Sequence, residues 1–227
     1  MAFIVAIDGP TSSGKSTLAK RIAKELGFIN IQTGAMYRCV AKQMQDSNIG
    51  IENTEEIETM LKNINISFRG NGDKQIVLLN GDDVTLQIRS KEITDFTSKV
   101  ASILEVREAL VEKQREMAQN RNVVMEGRDI GTNVFPQADI KIYLDANPLE
   151  RIKRKILELK QNGEEVDELA VANSVYNWDE DAVKRKEGAL KKAEDAIYID
   201  STQLSIDELA RLVIGKINEK YIDEMEL

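Results

Sequence analysis

The 227-residue sequence predicts an α/β fold: a five-stranded parallel sheet flanked by helices, with a small antiparallel β insertion. Three observations predict it. Strand, helix and strand follow one another within the first thirty or so residues, the spacing of a βαβ unit, which makes its strands parallel. The first strand meets its helix through Gly9-Pro10-Thr11-Ser12-Ser13-Gly14-Lys15-Ser16, which fits G-x-x-x-x-G-K-[ST] at every fixed position. Two alternating segments joined by a Gly-rich turn then interrupt the parallel pattern.

Phe3 to Ile7 is a continuous apolar run, as a strand buried on both faces requires. From Lys15 to Leu26, Leu18, Ala19, Ile22, Ala23 and Leu26 fall at helical spacing, and Gly27 is placed to stop the helix. Phe28 to Ile31 gives the second strand. Met36–Gln45 and Glu55–Leu61 read as helices. Ile64–Phe68 and Gln75–Leu79 alternate, and Gly70-Asn71-Gly72-Asp73 joins them as a hairpin. Thr97–Gln119 reads as one helix. Val123–Met125, Ile140–Leu144 and Ile197–Ile199 supply the remaining strands. Pro148–Gln161 is a helix with proline in an early position and an apolar stripe of Leu149, Ile152, Ile156 and Leu159. Residues 162–194 are highly charged and poor in core residues, as helices packed weakly on the body would be. Ser205-Ile206-Asp207-Glu208 is a capping box opening the last helix, whose apolar positions are Leu209, Leu212 and Val213.

Composition narrows the chemistry. The net charge of −8 argues against a non-specific nucleic-acid binder. With no histidine, imidazole bases, Ser-His-Asp triads and His-ligated zinc are excluded; with Cys39 alone, so are an internal disulfide and Cys-rich metal sites. Nothing resembles a signal peptide or a spanning segment, so no membrane partner and a cytoplasmic location are expected. Cys39, Met36, Met117 and Met125 read as core residues.

In the loop of residues 9–16, glycines let backbone N–H groups converge on phosphate oxygens. Lys15 is expected to reach the β- and γ-phosphates of a nucleoside triphosphate and Ser16 to ligate Mg²⁺; the bland alternative is a turn that merely caps a helix. N-K-x-D, the base-reading motif of GTPases, is absent, and arginines cluster elsewhere, so a small-molecule kinase is favoured.

Four further segments carry a family resemblance. Gln32-Thr33-Gly34-Ala35-Met36-Tyr37-Arg38, Ser98-Lys99-Val100-Ala101 with Val106-Arg107-Glu108-Ala109-Leu110, Gly127-Arg128-Asp129-Ile130-Gly131-Thr132-Asn133-Val134-Phe135-Pro136, and Asp200-Ser201-Thr202 resemble segments of the bacterial cytidylate (CMP) kinases. The resemblance spans nearly the whole chain, the hairpin insertion included. It implies a P-loop kinase core (1–34, 97–161 and 195–227), a monophosphate-binding region (35–96) and a lid (162–194), acting as a monomer that transfers phosphate from ATP, with Mg²⁺, to CMP or dCMP. It implies that Gly9, Pro10, Thr11, Ser12, Ser13, Gly14, Lys15, Ser16, Thr17 and Arg151 bind ATP. Thr33, Tyr37, Arg38, Ser98, Arg107, Arg128 and Asp129 are implied to bind the acceptor. Of these, Arg38 and Arg128 grip its phosphate, and Ser98, Arg107 and Asp129 read the cytosine edge. Lys15, Arg128, Asp129, Arg154 and Arg185 are implied to serve catalysis.

The residue types suit the chemistry on their own account. Phosphoryl transfer asks for positioning and charge neutralisation rather than a covalent intermediate, and arginines bring two anions into line. Arg151 and Arg154 lie more than about 90° from the centre of the apolar stripe on their helix, so they project from the core, either towards a ligand or as a solvated basic face. Arg128-Asp129 reads otherwise as a surface ion pair. Ser98 and Arg107 lie about 180° apart on one straight helix, so the helix must break if both touch one base.

The chain departs from the family's lid pattern R-D-x-x-D-x-x-R-x-x-x-P-L at three positions: Trp178 stands for the first arginine, Ala182 for the second aspartate, which faces the acceptor's pentose in the family, and Ala189 for the proline. Arg185 is retained. Gln32 replaces an aspartate. Each lost charge-assisted hydrogen bond costs about 1.5–3 kcal/mol. Two alternatives stand beside the cytidylate kinase reading: a catalytically impaired ATP-binding relative, and a kinase for another small acceptor.

Overall fold

The computed structural model describes residues 2–70 and 72–225. Its main sheet has five strands, all parallel, in the order β2-β6-β1-β7-β8. They are β1 (Ile4–Asp8), β2 (Ile29–Gln32), β6 (Val123–Gly127), β7 (Ile140–Asp145) and β8 (Ile197–Asp200). β1 lies at the centre, with Asp8 level with Gly127 on one side and Tyr143 on the other. The chain leaves β1 at the point where strand order reverses, where open α/β sheets hold their ligands.

The apolar run of β1 is explained by its two faces. Val5 and Ile7 pack into one core with Leu18, Ile22, Val124, Ile142 and Val213, while Ala6 joins a second with Ile31, Met36, Val40, Leu110 and Met125. Alternate residues of a strand point to opposite faces, so a strand covered on both must be apolar throughout. Cys39, Met36 and Met125 are fully buried and Met117 packs at the edge of that second core.

Helix α1 (Lys15–Leu26) ends at Gly27, whose φ of 71° is the left-handed stop the sequence predicts. Helices α2 (Thr33–Asp46) and α3 (Thr54–Asn63) follow. The insertion is a three-stranded antiparallel sheet of β3 (Ile66–Arg69), β4 (Ile76–Leu79) and β5 (Asp82–Asp83). Asn71 of the predicted hairpin turn lies outside the described residues; Gly72–Lys74 form a 3-10 turn. Gln75 anchors the insertion to the core sheet. Its Oε1 accepts from Asn30 Nδ2 at 3.1 Å and Gln32 Nε2 at 2.8 Å, and its Nε2 donates to the Asn30 carbonyl at 2.7 Å. All three side chains are buried. A carboxylate at position 32 could not donate into this network, which accounts for the glutamine there.

The single helix expected over 97–119 is two helices, α4 (Lys91–Val100) and α5 (Leu104–Ala118). No Gly or Pro marks the break. The Ser90 hydroxyl starts α4 by accepting from Ile93 N, and at the break Arg107 donates to the freed Ala101 carbonyl at 3.4 Å. A π-helical turn spans Ile130–Val134.

Helix α6 (Pro148–Gln161) corrects the sequence reading of its faces. Leu149 of the apolar stripe is 69% exposed, and the one buried residue of the helix is Arg151. The arginine side therefore faces inward, over the loop after β1. Residues 162–194 hold one long helix, α7 (Glu168–Lys184), capped by Asp167 and burying Val175 and Ala182. α8 (Ile206–Met225) opens with the reciprocal capping box: Glu208 Oε2 accepts from Ser205 N at 2.9 Å, and Ser205 Oγ accepts from Glu208 N at 3.3 Å. Leu209 and Val213 are buried with Ala210 and Ile217, whereas Leu212 is 44% exposed. No helix among the described residues is long and apolar enough to cross a membrane.

Candidate active site

The loop 9–16 packs too closely for side chains where it carries glycine. A Cβ on Gly9 would sit 2.0 Å from the Leu144 carbonyl oxygen, and φ there is 152°. Gly14, at φ 99°, turns the chain into α1. Ser13 is fully buried. Lys15 folds across the loop, its Nζ donating to the Pro10 carbonyl at 2.6 Å, with Ser13 Oγ at 3.4 Å. Burial, and then the charge of Arg128, lower its pKa to about 7. Ser16 and Thr17 are exposed at the start of α1. Ser16 Oγ donates to Glu126 Oε1 at 2.8 Å.

Two arginines of α6 grip this loop. Arg151 donates to the carbonyls of Ala146 and Thr11, both at 3.1 Å, and pairs with Asp179 of α7. Asp179 in turn accepts from Thr11 N at 2.8 Å. Arg154 donates to Ser201 Oγ at 3.1 Å and to the Ser201 carbonyl at 2.8 Å, and Ser201 Oγ donates to the Ser13 carbonyl at 2.9 Å. The turn after β8 is thereby locked to the loop after β1.

The other predicted residues gather beside the loop. Arg128, at the end of β6, donates to Thr11 Oγ1 at 2.9 Å. The buried Asp129 pairs with the buried Arg107 and accepts from Asn133 Nδ2 at 3.0 Å, so Arg128-Asp129 is not a surface ion pair. The Arg107 guanidinium lies 5.8 Å from the centroid of the Tyr37 ring, a cation–π distance. Burial pushes the Tyr37 hydroxyl up to about 12 and likewise the Cys39 thiol, so neither supplies an anion near neutral pH. Thr33 Oγ1 donates to the Glu126 carbonyl at 2.8 Å. Burial, then Arg107 and Arg128, bring the Arg185 guanidinium down to about 10. Among the described residues, the buried side-chain nitrogens without a hydrogen-bond partner include Nε of Arg38, Arg107 and Arg185.

Ser98 lies on α4, facing the lid. Its hydroxyl donates to Asp181 Oδ2 of α7 at 2.8 Å, tying the lid to α4. The chain after α7 then crosses the Arg107–Asp129 pair. A Cβ on Gly188 would fall 1.6 Å from Arg107 Nη2 and 2.4 Å from Asp129 Oδ2. Ala182 is fully buried and Trp178 half-buried.

Sequence reasoning missed Asp8, Glu126, Asp179, Asp181 and Ser201. Asp8 and Glu126 did leave a signal: each is a carboxylate at the end of an otherwise apolar strand, where burial is costly unless it is used. Asp179 stands at the first aspartate of the lid pattern, but its partners Thr11 and Arg151 are on other elements, and Asp181 left no signal because its partner Ser98 is 83 residues away.

Known proteins bear on this arrangement. The family model described as "Cytidylate kinase" matches residues 5–219. A cytidylate kinase of Caldicellulosiruptor bescii is 44% identical over 210 residues, 92% of this chain and 93% of that one. One of Fusobacterium nucleatum subsp. nucleatum is 45% identical over 216 residues, 95% of this chain and 97% of that one. Among solved structures, an uncharacterized protein from Eubacterium ventriosum shares the fold, with a TM-score of 0.52 at 15% identity, covering 95% of this chain and 98% of that one. With the phosphate loop, the arginine cluster and the match over nearly all of its length, the chain belongs to the cytidylate kinase family.

Proposed function

We propose that the protein transfers the γ-phosphoryl group of ATP to CMP or dCMP, giving ADP and the cytidine diphosphate. One observation carries the site assignment: the largely buried Arg185 guanidinium, its Nε without an acceptor, stands among those of Arg107 and Arg128, and Arg128 bonds to Thr11 of the phosphate loop. Buried donors without partners are uncommon and costly. Three guanidiniums drawn together repel one another, and an anionic ligand offsets that repulsion.

The loop 9–16 cradles the triphosphate, with Arg151 and Arg154 of α6 stiffening it and Lys15 on the β- and γ-phosphates. Arg38 and Arg128 hold the acceptor phosphate, and Arg185 closes from the lid. An oxygen of that phosphate bonds to the γ-phosphorus as the bond to the bridging oxygen of ADP breaks. The attacking oxygen is already an anion, so no strong base is needed, and a chain without histidine suffices. Once the chain at Gly188 lifts from the Arg107–Asp129 pair, the two supply a donor and an acceptor for the cytosine edge, beside Tyr37. Residues 35–96 form the acceptor side and 162–194 the lid.

Among the described residues no group of three or more metal-ligating side chains stands together. The Ser16 hydroxyl beside Glu126 nevertheless fits Mg²⁺, which takes most of its ligands from phosphates and water. Ser16 would ligate the ion and Glu126 hold a water of its shell; when bound, Mg²⁺ neutralises charge on the β- and γ-phosphates.

A coupled ADP-release assay with CMP, dCMP, UMP, AMP and GMP tests the reading. Turnover is expected with CMP and dCMP, and no turnover of any pyrimidine monophosphate would reject it.

A further inference from the structure

β1 ends in a carboxylate that the reaction described above does not use. Asp8 is only 5% exposed. Its Oδ1 accepts from Ile130 N at 2.8 Å and its Oδ2 from Gly131 N at 2.7 Å. Those amides open the π-helical turn that directly follows Arg128 and Asp129, and Asn133 of the same turn holds the Asp129 carboxylate. On its other side Asp8 precedes Gly9, where a Cβ would fall 2.0 Å from the Leu144 carbonyl oxygen.

One side chain thus joins the start of the phosphate loop to the turn that carries Arg128 and Asp129. The geometry specifies a carboxylate. Two backbone donors need two oxygens, and an amide would set its NH₂ against one of them. Keeping that carboxylate is costly: burial pushes Asp8 up to about 6, Asp129 repels it, and the two amides and Lys15 offset only part of this. A buried group retained at such a cost, and aimed at a site, points to a role in that site.

We infer that Asp8 is a positioning residue for phosphoryl transfer: through the Ile130 and Gly131 amides it fixes Arg128 and Asp129 against the phosphate loop, and so sets the separation of donor and acceptor. The inference rests on the acceptor-side roles proposed for those two residues. Asp8 touches neither substrate; it acts through the turn.

The test is steady-state kinetics on the full-length chain carrying Asp8→Asn, Asp129→Asn and both. For Asp8→Asn, kcat falls and KM for CMP rises, together about ten- to a hundredfold in kcat/KM, while KM for ATP stays within about twofold. In the double variant the losses do not add, because one acts through the other. Additive losses, or equal rises in both KM values, overturn the inference. Should Asp8→Asn fail to fold, Gly131→Ala probes the bond from the other side: its methyl would meet Asp8 Oδ2 at 3.4 Å and Lys141 Cδ at 3.2 Å. The same acceptor-selective defect is expected, and unchanged kinetics refute the linkage. A wild-type chain that turns over no pyrimidine monophosphate sinks the functional reading and this one with it. A wild type that works, with Asp129→Asn impaired and Asp8→Asn normal, sinks this one alone.

Discussion

Binding of ATP should draw a proton from solution, and raising the pH should weaken it. The cause is Lys15. In the free protein its ammonium is buried, faces Arg128, and has its pKa lowered from 10.5 to about 7. A polyphosphate placed in the loop surrounds it with negative charge and returns the pKa to its ordinary range or above. At pH 8 the free lysine is then mostly neutral and the bound one charged, so about 0.9 proton is taken up per ATP. The apparent Kd rises about twentyfold between pH 7.5 and 9, a range in which the triphosphate's own ionisation is complete. Calorimetry in buffers of differing ionisation enthalpy measures the uptake directly. Lys15→Arg, which keeps its charge at any such pH, should flatten the slope whatever it does to affinity. The same shift acts on folding with a definite sign. Between pH 7 and 10.5 the unfolded chain binds more protons at this site than the folded one, so its contribution makes the nucleotide-free protein more stable as pH rises. A Kd independent of pH from 7.5 to 9, with no proton taken up at pH 8, would refute the placement of Lys15 as a buried cation opposite the phosphates.

Other substitutions read other parts of the structure. Arg128→Ala removes a guanidinium proposed to meet the acceptor phosphate, and kcat/KM for CMP should fall at least about a hundredfold through two lost charge-assisted bonds; an unchanged rate in the coupled assay would favour a non-catalytic relative. Gly9→Ala drives a methyl to 2.0 Å from the Leu144 carbonyl oxygen, and urea titration should show a loss of about 2–4 kcal/mol. Gln75→Leu strands the amides of Asn30 and Gln32 in a buried site, costing about 1–3 kcal/mol with little change in KM for ATP; a variant as stable as the parent would show the network to be idle.

Much of this was readable beforehand because it is local. The apolar run ending at Ile7, the stop at Gly27 and the capping box at Ser205 and Glu208 are each written within a few residues. The loop 9–16 is contiguous and its backbone does the binding, so spacing alone reveals it. The break after Val100 has no local signal, since no residue at 101–103 forbids a helix and the freed carbonyl is met by Arg107 from further along; only the need to bring Ser98 and Arg107 to one base called for it. The orientation of α6 was misread for a related reason. Periodicity finds the apolar side of a helix, and this helix turns its arginines inward because loop carbonyls and Asp179 are there to receive them. Gln32 is unintelligible until Gln75, distant in sequence, arrives beside it.

The site proposed for donor and acceptor is framed by the ends of three neighbouring strands: Asp8 from β1, Glu126 to Arg128 from β6, and Leu144 to Ala146 from β7. Neighbouring strands keep a spacing of about 4.8 Å set by their hydrogen bonds, so the starting points of the phosphate loop and of the turn carrying Arg128 and Asp129 are held at a fixed separation by backbone rungs. The three-stranded insertion and the helix that caps the site hang outside this ruler. Drift or redesign of what the molecule accepts can therefore proceed in those appendages, one residue at a time, while the reacting atoms continue to meet at the same interval.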